Sequence, residues 1–404
     1  MAIVQPFQAV RPTRNKVCLV PSYSYERYGQ LDINRIIKYN PYSFLNIIAK
    51  PYVRHLEAGK RYQAIKKFYQ KFKKKEVFVQ ESIPSFYLLR ISDENGMSFT
   101  GLTALASTWD YAEGIIKRHE KTLTNRVKLF TDYLYNVRIN AEPVLLAHEP
   151  VTDLDLIYEK LTENLPEYEF SMPDGKVFEM WPVSDVEIIK RIQGVFEQMN
   201  ALYIADGHHR VESSYRLMKK MKSENPYHSG MEAYNFFMTF LIDYKKLKIY
   251  PFNRGIKDFG NIDKETFLQN LASVFEIQPL NRYFPPKKHE VILFLCNEYY
   301  RLIFPENLLQ NGRTDVEILN EQVFKNILGI KNMQNTPRIT YCEGKTNIKC
   351  LTKKINKGEC KAGFFMHELD FEEIKAKADA GETLPPKSSY IEPKLLSGLF
   401  VYEF

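Results

Sequence analysis

The chain has 404 residues, 44% of them hydrophobic and 14% aromatic, enough to bury more than one lobe, and no apolar run approaches the roughly 20 residues of a membrane helix. No charged-then-apolar leader opens the sequence, so the expected location is the cytoplasm, with no membrane partner. The net charge of +7 suits an anionic ligand and a nucleic acid alike, while five cysteines at 18, 296, 342, 350 and 360, without a C-x-x-C pair or a disulfide-dense cluster, read as reduced thiols.

Up to about residue 50, short apolar pieces alternate with aromatic and proline turns, and residues 32–39 predict a helix ended by Asn40-Pro41. A basic helix follows. Lys60, Arg61, Lys66, Lys67, Lys71, Lys73, Lys74 and Lys75 share it with Tyr62, Ile65, Phe68, Tyr69 and Phe72, the pattern of an amphipathic surface helix. A solvated basic face explains that pattern better than a nucleic-acid stripe. Residues 76–80 and 86–91 read as extended, and Asp93-Glu94-Asn95-Gly96 as a hairpin turn before a strand over 98–107. Residues 111–118 lead to His119-Glu120, just ahead of helical spacing from Asn125 to Val137; Val144 to His148 reads as a strand and Leu154 to Leu161 as helix.

Ser184-Asp185-Val186-Glu187 reads as a capping box opening a helix to about Met199. Directly after it the apolar run Ala201 to Ala205 predicts a short buried strand, Asp206-Gly207-His208-His209 a tight turn, and Arg210 to about Lys222 a helix with Val211, Tyr215, Met218 and Met221 on one face. A strand that stops at a glycine and opens into a helix offers backbone N–H groups to an anion, with phosphate the obvious guest. One carboxylate, two imidazoles and a guanidinium are more chemistry than a connection requires. The plain alternative is an Asp206 N-cap, a sterically required Gly207 and solvated histidines. Adjacent helical histidines point roughly 100° apart, so no structural zinc site is expected.

Strands are predicted at Tyr234 to Ile242 and Leu247 to Phe252, then a helix at 264–275, a hairpin at 291–304 around Asn297-Glu298, and a helix over 315–328. A strand at 338–342, a short helix, a strand at 363–367 and a helix from Phe371 to Ala380, stopped by Gly381, complete the chain.

Separated motifs in order, nearly end to end, resemble a bacterial and archaeal family known as domain of unknown function ten-fifteen. They are Pro6-Phe7, Asn40-Pro41-Tyr42-Ser43-Phe44-Leu45, Ile116 to Thr122, the turn Asp206-Gly207-His208-His209-Arg210, Tyr234-Asn235-Phe236-Phe237, and a tail from Leu384 to Tyr390 continued by Glu392 to Leu395 and Ser397-Gly398-Leu399. The turn also resembles the phosphate-binding turn of the ParB/sulfiredoxin-like superfamily, which includes nucleotide-dependent kinases acting on free L-serine. The resemblance implies a mixed α/β (α+β) fold: an N-terminal segment at 1–97, a ParB/sulfiredoxin-like strand–phosphate turn–helix catalytic core at 98–255 and a C-terminal α+β region at 256–404.

It also implies phosphoryl transfer between ATP or ADP, with Mg²⁺, and the hydroxyl of a small amino acid, free L-serine or O-phosphoserine. Glu120 matches the catalytic glutamate of the His-Glu motif, and Arg126 an arginine often found after it. The chemistry then gives His119 and Asp206 catalytic roles, Asp206 as the metal contact, and Gly207, His208, His209, Arg210 and Thr122 the phosphate. Lys387, Ser388 and Lys394 of the tail are candidates for an anionic substrate, against a proline-fixed segment that packs the C-terminus back. Two departures from the family pattern stand out: no carboxylate follows Pro21-Ser22-Tyr23-Ser24-Tyr25 until Glu26, and Asn125 replaces a common acidic residue. Competing readings are a phosphoserine phosphatase-like hydrolase at the same site and a ParB-like nucleotide-dependent DNA-binding regulator. The latter is disfavoured, because strands rather than a helix-turn-helix follow the turn, so nucleic acid is not an expected partner; a homodimer is compatible with the sequence.

Overall fold

The computed structural model describes residues 1–50, 53, 55–333, 336–346 and 348–404. The chain is mixed α/β and forms two compact units. One comprises Met1–Arg118, Thr122–Leu247 and Pro393–Phe404, the other His119–Lys121 and Lys248–Glu392.

The first unit is built on a nine-stranded sheet. Its order is Ile116–Lys117, Leu202–Asp206, Val144–His148, Phe236–Asp243, Ser98–Ser107, Phe86–Ser92, Val177–Val183 and Tyr168–Ser171, with Val4–Gln5 also paired to Ser98–Ser107. The strand Leu202–Asp206 thus lies inside the sheet, parallel to Ile116–Lys117 and antiparallel to Val144–His148. Successive side chains point to opposite faces, and Leu202, Tyr203, Ile204 and Ala205 are all buried, so both faces of the strand are covered and the run is apolar. The core beneath gathers Leu88, Leu102, Val144, Leu146, Ile204 and Leu241, and the helices Thr152–Thr162 and Val186–Glu197 add Leu154, Ile157, Ile192 and Phe196. A separate cluster forms where the helix Ala58–Lys74 lays Tyr62, Ile65, Tyr69 and Phe72 against Phe44, Val137 and Val401.

The second unit has a seven-stranded sheet in the order Glu276–Leu280, Glu298–Ile303, Glu290–Leu295, Ala362–Met366, Lys248–Ile256 and Ile339–Glu343, with Ser389–Glu392 also paired to Lys248–Ile256. Its core includes Ile256, Phe267, Val291, Leu293, Phe324 and Phe364.

Several sequence expectations need correction. The helix after the central turn begins at His208, not Arg210, because Gly207 alone takes the left-handed conformation and both histidines complete the first helical turn. Asp185, not Ser184, caps the helix Val186–Glu197: its carboxylate accepts from the Glu187 and Ile188 N–H groups at 3.0 and 2.9 Å. Residues 233–235 form a 3₁₀ turn, so that strand starts at Phe236. The helix over 315–328 is α-helical to Leu319 and π-helical from Asn320 to Ile327. Cys342 and Cys350, read as thiols, are joined as a disulfide, since the strand Ile339–Glu343 and the helix Lys349–Asn356 bring their Cα atoms to 6.1 Å.

Candidate functional site

The turn after Leu202–Asp206 owes its shape to two local features. The pairing skips Ala205, so a bulge re-aims the strand just before it ends at Asp206. Gly207 then sits at φ +104°, where a Cβ would stand 2.9 Å from Nε of Arg210. A residue without a side chain therefore lets the guanidinium fold back over the turn, at the N-terminus of a 17-residue helix, His208–Glu224.

Arg210 is fixed from several sides. Nη1 donates to Glu142 Oε1 at 2.6 Å and to the Pro143 carbonyl at 2.8 Å, and Nη2 donates to Asp206 Oδ2 at 3.2 Å. The other oxygen of Glu142 accepts from the Ser397 hydroxyl at 3.0 Å. Lys394 completes the group, its Nζ 3.6 Å from Asp206 Oδ1. Desolvation opposes ionisation of Asp206, yet Lys394 and Arg210 outweigh it and hold the carboxyl at about 2, although 42% of the side chain stays exposed. Burial pushes the His208 imidazole down to about 3; Asp206 pulls the other way, and the charges of His209, Arg118 and Arg210 add to the depression. His208 is therefore a neutral imidazole at physiological pH. His209 Nε2 accepts the Leu123 N–H at 3.0 Å, which ties the residue after Thr122 to the turn.

A cavity of about 510 Å³ opens beside Arg210 within the first unit. Ser214, one helical turn further on, shares that wall; Glu142, Asn140 and Ser397 continue its polar side, and Phe44, Tyr62, Phe130 and Tyr133 make an aromatic side. Arg126 and Glu26 also line it and form an ion pair with each other. Volume and mixed lining are those of a small-molecule site.

The predicted site residues thus fall into two groups. Asp206, Gly207, His208, His209, Arg210, Lys394 and, through its neighbour Leu123, Thr122 gather at the turn, while Arg126 faces the adjoining cavity. His119 and Glu120 belong to the second unit, where the His119 carbonyl accepts from the Leu384 N–H at 2.8 Å and the His119 ring is buried. Lys387 and Ser388 also lie there: Lys387 is at φ +59° with Nζ 5.0 Å from the Phe252 ring, and the Ser388 hydroxyl donates to the Pro385 carbonyl at 2.6 Å. Glu142 was not foreseen. Its partner Arg210 is 68 residues away, and nothing in Asn140-Ala141-Glu142-Pro143 marks it locally.

Fold and turn together define a mixed α/β protein whose strand–glycine–helix turn gathers Asp206, Arg210 and Lys394 at the start of a long helix. The chain belongs to the family described as "Protein of unknown function (DUF1015)", whose model matches residues 4–327. No curated protein matches the sequence. Among solved structures, a free serine kinase in complex with AMP is 14% identical, with 74% of this chain and 92% of that chain covered and a TM-score of 0.39. A conserved hypothetical protein from Pyrococcus furiosus is 14% identical over 73% of this chain and 94% of its own, TM-score 0.38. A C-terminally truncated SbnI from Staphylococcus aureus is 10% identical over 72% and 82%, TM-score 0.39.

Proposed function

We propose that the chain transfers a phosphoryl group between ATP or ADP and the hydroxyl of a small amino acid, with free L-serine as acceptor or O-phosphoserine as donor, on a ParB/sulfiredoxin-like core. The observation that carries this reading is the turn itself: Gly207 at φ +104° opens a long helix under a guanidinium, beside a cavity of about 510 Å³. Nucleotide phosphates fit this donor set. The start of the helix, Arg210, His208 and His209 hold the phosphate oxygens, and the cavity takes the rest of the nucleotide or the acceptor. Mg²⁺ supplies charge neutralisation on the phosphates when bound. Asp206 does not fit as its seat, because Arg210 and Lys394 already face its two oxygens and place positive charge where a dication would sit. No step is therefore routed through a metal at that carboxylate.

In this reading Asp206 keeps Arg210 and Lys394 in place, Thr122 and Arg126 add phosphate contacts, Lys387 and Ser388 contact substrate, and Glu120, oriented by His119, takes the proton of the attacking hydroxyl. Glu26, ion-paired with Arg126 in the cavity, provides the carboxylate that the segment ending at Tyr25 lacks.

Phosphorus NMR of the protein with ATP or ADP, Mg²⁺ and a panel of hydroxy amino acids tests the reading directly. Glu120→Gln keeps shape but removes the basic oxygen, so turnover is expected to fall by at least about 10²-fold while nucleotide affinity and thermal stability hold. Normal turnover in that variant would leave an anion-binding protein and remove the kinase assignment.

A further inference from the structure

The cavity beside Arg210 is lined by three guanidinium residues, Arg61, Arg126 and Arg210, and by two carboxylates, Glu26 and Glu142. Four of the five are already paired, Arg126 with Glu26 and Arg210 with Glu142. Arg61 is left over. Among the described residues it has no ion pair and no side-chain hydrogen bond, only a place over the Tyr62 ring, its guanidinium carbon 5.4 Å from the centroid.

The helix that carries Arg61 explains where it points. Arg61 stands in the first turn of Ala58–Lys74, and Arg61, Tyr62 and Ile65 share an arc of about 100° that faces the cavity. Tyr62 is buried: its hydroxyl donates to the Leu129 carbonyl at 3.3 Å, and its ring meets that of Tyr133 edge-on at 6.3 Å. Leu129 and Tyr133 belong to the helix Thr124–Val137 and to the cavity wall, so the ring under Arg61 is a fixed platform. The same helix packs on His208–Glu224, whose first turn brings Arg210 to the cavity. An uncommitted guanidinium and the turn thus reach one cavity from two different helices.

A half-buried cation beside apolar walls loses solvation that nothing on the chain returns, so an anionic group of a ligand is its natural partner. A guanidinium over a ring keeps its N–H edges for a planar acceptor with two oxygens. A carboxylate has that shape and matches the single uncommitted positive charge, whereas a phosphate dianion would need a second cation. We infer that Arg61 anchors the α-carboxylate of the amino-acid substrate, so that the site takes hydroxy amino acids and rejects amines that share their hydroxyl. This inference rests on the proposed phosphoryl transfer.

Two phosphate esters that differ only in the carboxylate, O-phospho-L-serine and O-phosphoethanolamine, test it by calorimetry on the full chain. L-Serine and ethanolamine do the same as acceptors, followed by phosphorus NMR. The wild-type chain is expected to prefer the carboxylate-bearing member of each pair by about 10–100-fold, the range of a charge-assisted pair. In Arg61→Met that preference should fall to within about threefold, mainly through KM. Lys60→Met removes the same charge one residue away, outside the cavity lining, and should keep the preference. Methionine keeps helix propensity, and Arg61→Gln repeats the test if a thermal melt shows Arg61→Met unfolded. A preference that survives in the folded Arg61 variants, a wild-type chain that binds both esters equally, or an equal loss in Lys60→Met overturns the inference and leaves the phosphoryl-transfer reading standing. A wild-type chain that binds neither ester and phosphorylates neither acceptor overturns that reading and the inference with it.

Discussion

His208 and Arg210 are neighbours on one helical turn, one tested through protons and the other through phosphate. His208 is buried and neutral, with its folded pKa near 3, below the ordinary value of 6.5. The unfolded chain therefore binds a proton there between those values while the folded chain does not. Stability should be fully present above about pH 6.5 and decline as pH falls towards 3, with a slope from this residue of up to about 1.4 kcal/mol per pH unit. Asp110 works the other way, since burial raises its carboxyl to about 6 against the opposing Ile3 N–H, and its preference for the protonated form is lost as pH rises from 3.8 through 6. Urea melts of wild type and His208→Asn from pH 4.5 to 7.5 isolate the histidine, because only the difference between the two curves should carry its slope. A flat difference would show His208 protonated in the folded state. Arg210 makes its claim through phosphate: Arg210→Ala should weaken binding of phosphate or nucleotide by about 1.5–3 kcal/mol, measured by calorimetry. Part of that loss comes from Glu142, left without its 2.6 Å partner at the cavity wall. The residues of the turn were legible because four polar side chains and a glycine in a row between a strand and a helix are locally unusual. Glu142 and the Glu26–Arg126 pair were not, since such ion pairs exist only once separated stretches are folded together.

Elements bounded by strong local signals were readable residue by residue. The strands Ser98–Ser107 and Val144–His148 keep the limits expected of them, and Asp93 makes the preceding hairpin by accepting the Asn95 and Met97 N–H groups at 2.9 and 3.0 Å. The strand Val177–Val183 went unpredicted because Pro182 argues against a strand, yet that residue lies one place from its end, paired with Tyr87. Paired histidines are poor helix formers, so the turn looked longer than it is; the glycine's backbone decides where the helix starts. The same glycine gives an element-scale prediction. Gly207→Ala forces a side chain into φ +104° and against the guanidinium, and should lower stability by about 1–2 kcal/mol in chemical denaturation. It should also weaken phosphate binding, because Arg210 must move; an unchanged affinity would mean that the anion does not use the turn.

At the scale of the whole molecule, the chain leaves the first unit at Lys248, builds a second core, and returns at Pro393. The returning segment is structural and chemical at once. Val401 exchanges backbone hydrogen bonds with Val10 at 2.8 and 2.9 Å, Gly398 N–H donates to the Ala141 carbonyl at 2.9 Å, and Tyr402–Glu403 pairs with Ile139–Asn140. Leu396, Leu399, Phe400 and Val401 are buried, and Gly398 packs so closely that a Cβ would lie 2.5 Å from the Phe44 ring. Within the same stretch Lys394 faces Asp206 and Ser397 holds Glu142. Family motifs in the tail were visible in the sequence, but a return to the unit that holds the turn was not, because strand partners across the chain leave no local trace. Removing residues 393–404 should therefore damage the first unit specifically. Burying four large apolar side chains stabilises by about 1.5–3 kcal/mol each at most, an amount comparable to the whole stability of a domain. The truncated chain is expected to show an early thermal transition from the first unit and no measurable phosphate binding, while residues 248–392 melt as they do in the full chain. Hydrogen exchange followed by mass spectrometry separates the two: amides of Leu202–Asp206 and Val144–His148 should lose protection, and those of Ala362–Met366 should keep it. Uniform loss across both sheets would mean that the units unfold as one, and unchanged protection in Leu202–Asp206 would mean that the tail decorates the first unit without supporting its turn.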